Sequence, residues 1–134
     1  MSKPTVSKLR VSVLSVVLLG ALAASGASYS APPPTSKVVV FPAKHTGKCP
    51  HLFQFSGWIQ SSVPGPVTYR WIRSDGAMGP VQNLMFAKPG KLPVAVSTWT
   101  LGGPGMVYNG WERVQILTPV AAHSNAADFK LVCK

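Results

Sequence analysis

Carboxylates are scarce in this chain: among 134 residues only Asp75, Glu112 and Asp128 carry one. Glycosidase chemistry takes two acids flanking one bond, and general acid–base catalysis needs a second titrating group within reach. Glu112 and Asp128 read as polar-phase residues on late strands, and no spacing brings two of the three acids together. Catalytic signatures are missing as well. There is no G-x-S-x-G elbow, no H-E-x-x-H, no G-x-x-x-x-G-K-[ST], and no G-x-G-x-x-G between a strand and a helix. The glycine-rich stretch at 101–105 contains a proline and precedes a strand, which makes it a loop rather than a phosphate cradle. These absences point away from an enzyme: the sequence offers no catalytic residue and calls for no cofactor.

Long apolar runs are also lacking. The run from Val11 to Ala24 falls short of the roughly 20 residues that a spanning helix needs. It follows Lys3, Lys8 and Arg10 and precedes small residues, the pattern of a signal peptide over residues 1–27. Ser25-Gly26-Ala27 offers a small-x-small cleavage site, with Ala21-Leu22-Ala23 competing, and no nearby cysteine invites a lipid anchor. The expected product is secreted or periplasmic, with no membrane span after processing. Beyond the leader, ten basic residues face three acids. Such a surface attracts polyanions, but no Lys/Arg run of the kind that nucleic-acid arms carry occurs, so no specific nucleic-acid binding is expected.

Cys49 and Cys133 are the only cysteines. Export delivers them to an oxidising compartment, and a disulfide is the expectation. Closing so long a loop stabilises by about 4 kcal/mol on chain-entropy grounds. The competing arrangement is a zinc site from His45, Cys49, His51 and Cys133. Met78, Met85 and Met106, with the same histidines, supply the soft donors of a copper carrier. They form no Met-x-Met cluster, and methionine also fills gaps in cores. A metal (copper or zinc) carrying protein is therefore the alternative reading, and no metal ligand is assigned.

The remaining residues organise into short strands. Residues 28–36, SYSAPPPTS, read as a proline-rich linker unable to pair. From residue 37 to 134, apolar residues recur with period two between Pro and Gly punctuation, and no helical periodicity appears. A first strand covers Val38 to Phe41. In the run at 51–60 the inward set is Phe53, Phe55 and Ile59; at 67–73 it is Val67, Tyr69 and Trp71. Leu84 and Phe86 follow, then Val94 and Val96 in a strand over 92–101, Val114 and Ile116, and finally Phe129, Leu131 and Cys133. Ser74-Asp75-Gly76 ends the third run as a tight turn, because Ser and Asp bond nearby amides and Gly accepts positive φ.

Seven such strands predict an all-β, two-sheet immunoglobulin-like sandwich of antiparallel strands. Cys49, the F-x-F-x-G run at 53–57, Tyr69-x-Trp71, Ser74-Asp75-Gly76, Gly110-Trp111 and Cys133 together resemble the small secreted bacterial immunoglobulin-like or fibronectin-like modules. The cysteines depart from the antibody pattern, since they bracket the domain instead of joining its two central strands. With Phe53, Phe55 and Val94 inward, alternation puts Trp58 and Trp99 outward, on strands that are neighbours in such a sandwich. Two exposed indoles near lysines suit a glycan or protein partner. The sequence reading is thus a non-enzymatic binding or structural module at the cell envelope. Its expected partner is an extracellular or envelope macromolecule, a protein, glycan or anionic polymer, met at Trp58 and Trp99.

Overall fold

The computed structural model describes residues 31–134 and, ahead of them, Ser2 and Pro4. The rest of the expected signal peptide and linker residues 28–30 lie outside the described residues. The prolines stop at Pro34, and the β-branched Thr35 opens β1 (Thr35–Phe41). Thr35 and Ser36 pair with Gln60 and Ile59, so these two residues belong to the sheet and not to the linker.

Nine strands follow: β2 (Lys44–Gly47), β3 (His51–Ser61), β4 (Gly65–Arg73), β5 (Gln82–Phe86), β6 (Gly90–Pro93), β7 (Ser97–Leu101), β8 (Val107–Thr118), β9 (Ala122–His123) and β10 (Ala127–Cys133). They form two sheets. In the four-stranded sheet, β3 pairs with β1 on one side and with β7 and β6 in succession on the other. The six-stranded sheet runs β2-β10-β8-β4-β5, with β9 also on β8. The β-sandwich is as expected in kind, but the described residues form ten strands where about seven were read, and β2 lies parallel to β10. The short β2 and β9 carry too few residues to show a period. Fragments that brief become strands only through their neighbours.

The core forms where the two inner faces meet. Phe53, Phe55, Ile59, Val67, Tyr69, Trp71, Val114, Ile116, Phe129 and Leu131 are all buried in it, as alternation predicted. Phe129 is the aromatic hub, 4.2 Å from Phe53, 5.3 Å from Trp99 and 5.9 Å from Phe55 between ring centroids. Gly110 leaves room for it: a Cβ there would lie 2.6 Å from Tyr108 Cε1 and 2.8 Å from Phe129 Cζ. Cys49 and Cys133 are joined in a disulfide with Cα atoms 5.6 Å apart. Gly102, at φ +117°, passes over the bridge, where a Cβ would stand 2.9 Å from both sulfurs.

The run at 92–101 departs most from the sequence reading. It is two strands, β6 and β7, separated by Val94-Ala95-Val96. Ala95 donates its N–H to Tyr69 Oη (2.7 Å) and accepts from Trp71 Nε1 (2.8 Å), so two side chains of the opposite sheet hold the break open. The break resets the phase. Val94 stays buried, Val96 is 55% exposed instead of inward, and Trp99 turns into the core.

Candidate functional site

Trp99 and Trp58 do not share a face. Register pairs Trp99 with Phe53, which places both on the inner side of the sheet, and Trp99 is only 6% exposed. The expected pair of exposed indoles is therefore corrected to Trp58 alone. Five residues beyond Phe53 on β3, Trp58 has the opposite parity and points outward, half-buried. Lys91 of β6 sets its ammonium 4.1 Å from the Trp58 ring centroid. Lys37 of β1 is the register partner of Trp58 on the other side. The four strands β1, β3, β6 and β7 contain no carboxylate, so nothing on this sheet neutralises the two lysines. Farther along the same face Val39, Phe41 and Leu52 stand exposed.

The six-stranded sheet has its own outward aromatic. Trp111 and Arg113 alternate with the buried Glu112 and Val114, and the Arg113 guanidinium lies 4.7 Å from the Trp111 ring centroid. Beside Trp111 is an open depression of about 490 Å³ lined by Ala43, Lys44, Asn109, Trp111, Asp128 and Lys130, together with the backbone at Gly110 and Phe129. Register explains the grouping: Asp128 faces Trp111, Lys130 faces Asn109, and Lys44 faces Lys130. The W-x-R pattern at 111–113, in the polar phase of a strand, was the signal in the sequence for this patch.

Glu112 is not in the polar phase. It has the parity of Val114 and Ile116 and is fully buried, with neither carboxylate oxygen hydrogen-bonded by the protein. Burial holds its pKa above the ordinary carboxylate range, partly offset by the nearby Ser97 hydroxyl, which falls short of hydrogen-bond geometry, and by the charge of Arg73. It lines a small pocket of about 140 Å³ with Trp71, Arg73, Met78, Gly79, Ser97 and Thr98. Arg73 joins this pocket to the turn. Its guanidinium pairs with Asp75, donating from Nε to Oδ1 at 3.1 Å, and stacks 4.1 Å from the Trp99 ring centroid. The hydrogen bond from Arg73 holds the Asp75 pKa below its ordinary value. Asp75 also accepts from Ala77 N–H at 3.0 Å, and Gly76 adopts φ 89°, which makes Ser74-Asp75-Gly76 the expected turn. Asp75 and Glu112 thus both act on Arg73, a grouping that the sequence did not reveal.

The remaining donors do not assemble as the metal reading required. The cysteines are consumed by the disulfide. His45 and His51 stack face to face, with centroids 3.6 Å apart and planes 8° from parallel. Imidazole lone pairs lie in the ring plane, so parallel rings aim them side by side rather than at one point. Met78, Met85 and Met106 are 63%, 62% and 40% exposed and lie on separate segments, filling no core gap. Among the described residues no group of three or more His, Cys, Asp or Glu is placed to hold a metal ion.

No protein-family model matches the chain, and no curated protein matches it. Among solved structures, the chain is similar to the CARDB domain of the PF1109 protein from Pyrococcus furiosus, which was crystallised in complex with di-metal ions. The TM-score is 0.55 at 15% identity, over 79% of this chain and 98% of that one. The chain has a β-sandwich fold of that type. At this identity the likeness concerns the fold alone, and fold leaves function to the site.

Proposed function

We propose that the chain is a non-enzymatic, extracytoplasmic binding module that takes an anionic glycan polymer of the cell envelope on the outer face of its four-stranded sheet. The observation that carries this reading is the Trp58–Lys91 contact, with Lys37 in register beside it and no carboxylate on the sheet. A cation held over an indole has one face fixed and the other open to an anion, which lowers the ordering cost of binding. The covered ring also favours an anionic sugar over a neutral one, because a neutral sugar would need the indole plane bare. The disulfide is consistent with an oxidising compartment outside the cytoplasm. The PF1109 domain's di-metal complex is not carried over, since among the described residues no group of three or more His, Cys, Asp or Glu is placed to hold a metal ion.

The test is titration with polygalacturonate and, in parallel, neutral dextran. Polygalacturonate is expected to bind, more weakly as salt rises, and dextran not to bind. Trp58→Ala and Lys91→Ala should each reduce the affinity while leaving the thermal midpoint nearly unchanged. Unaltered binding by both variants would refute the assignment of this face, and a wild-type protein indifferent to both polymers would refute the function.

A further inference from the structure

The two sheets of a sandwich turn their outer faces in opposite directions, and here each outer face presents an indole with a cation over it. Trp58 with Lys91 stands on the four-stranded sheet and Trp111 with Arg113 on the six-stranded sheet. From this repetition we infer that the depression beside Trp111 is a second, independent site for an anionic sugar polymer, so that one module bridges two polymer chains. The inference rests on the function proposed above and deepens it.

The second site has features that the first lacks. It is concave, about 490 Å³, enough for a few sugar rings lying along the strands. Lys44 and Lys130 are register partners on β2 and β10, both are exposed, and both line the depression. Two like charges side by side repel. An anion between them relieves that repulsion, which makes charge complementarity, rather than apolar area, the argument for the occupant. Arg113 supplies a third cation at the Trp111 end. Asn109 and Asp128, both exposed and directed to the same side, provide an amide and a carboxylate to hydroxyl groups. Asp128 is the one acid on this surface, and it counts against a densely charged polyanion such as a nucleic acid, whose every unit would meet it. A sugar polymer with hydroxyls between its carboxylates fits the mixture.

Because the sites face opposite ways, a short oligomer held at one does not reach the other. Calorimetric titration of the processed, disulfide-bonded protein with trigalacturonate should therefore give two equivalents in the wild type. One equivalent is expected for Trp58→Ala, and one for the double variant Lys44→Ser/Lys130→Ser, whose exposed positions spare the fold. Long polygalacturonate should raise light scattering with the wild type through bridging, and with neither variant. Trp111→Ala should behave as the lysine double variant does. Saturation of the wild type at one equivalent, or two equivalents retained by Lys44→Ser/Lys130→Ser, would overturn the second site. A silent Trp58→Ala with a disabled lysine variant would overturn the first face and the bridging together while leaving the depression as the binding site. Equal bridging by duplex DNA would overturn the sugar class and leave charge alone.

Discussion

Replacing Glu112 should make the domain more stable, and the gain should depend on pH. The carboxyl group is fully buried and neither oxygen is hydrogen-bonded by the protein. A buried polar group without a partner costs about 1–3 kcal/mol. Exchange of a buried charged group for an apolar side chain of similar volume is often neutral or stabilising. Glu112→Leu should therefore raise unfolding stability by about 1–3 kcal/mol at pH 8, or roughly 4–8 °C in midpoint for each kcal/mol in a domain of this size. Burial raises the Glu112 pKa above its unfolded value, so the unfolded chain releases a proton that the folded chain retains. Wild-type stability then declines as pH rises from the ordinary carboxylate range through the raised value, and levels off above it. Glu112→Gln should remove that decline. Urea unfolding of wild type, Glu112→Gln and Glu112→Leu at pH 4, 6 and 8 provides the readout. The advantage of Glu112→Leu should shrink toward pH 4, where both folded and unfolded wild type are protonated. A Glu112→Leu protein less stable than wild type by more than about 1 kcal/mol at every pH would show that the carboxylate has binding partners in solution, and the reasoning would fail.

Three further outcomes follow from other parts of the sandwich. Trp71→Ala should cost about 3–5 kcal/mol through the cavity it leaves; Trp71→Phe should cost less, losing chiefly the bond from Nε1 to the Ala95 carbonyl, and thermal melts of the pair separate packing from that bond. Cys49→Ala/Cys133→Ala should lose about 4 kcal/mol, since the bridge closes a loop with a sequence separation of 84, and chemical denaturation without reductant measures it against wild type. Burial, and then the charge of His45, lower the His51 pKa, so its folded form resists protonation. His51 therefore contributes stability that is present above its unfolded pKa and lost as pH falls through the depressed value. His51→Gln should flatten the acid limb of the stability profile below pH 6.5 while leaving the alkaline limb as in wild type.

In most strands, local alternation alone decides which residues enter the core. Period-two alternation is enforced locally by the pleat, so Phe53, Phe55, Ile59, Val67, Tyr69, Trp71, Val114, Ile116, Phe129 and Leu131 were legible before any partner strand was known. Cysteine number and the reading of an exported chain fixed the disulfide pairing, since two cysteines leave only one intramolecular choice. The same parity rule, applied to Glu112 beside Val114 and Ile116, already placed that acid inside; its polar character hid this. Features that depend on long-range contacts lie where phase is interrupted or where distant strands meet. Whether residues 92–101 run as one strand or two depends on Tyr69 and Trp71, which bond to Ala95 from more than 20 residues away in sequence. That break turned Trp99 inward and left Trp58 alone on its face. The grouping of Lys44, Lys130, Asn109, Asp128 and Trp111 depends on the register of β2, β10 and β8. Register is a non-local choice, set by which inner faces pack together, and no window of a single strand contains it.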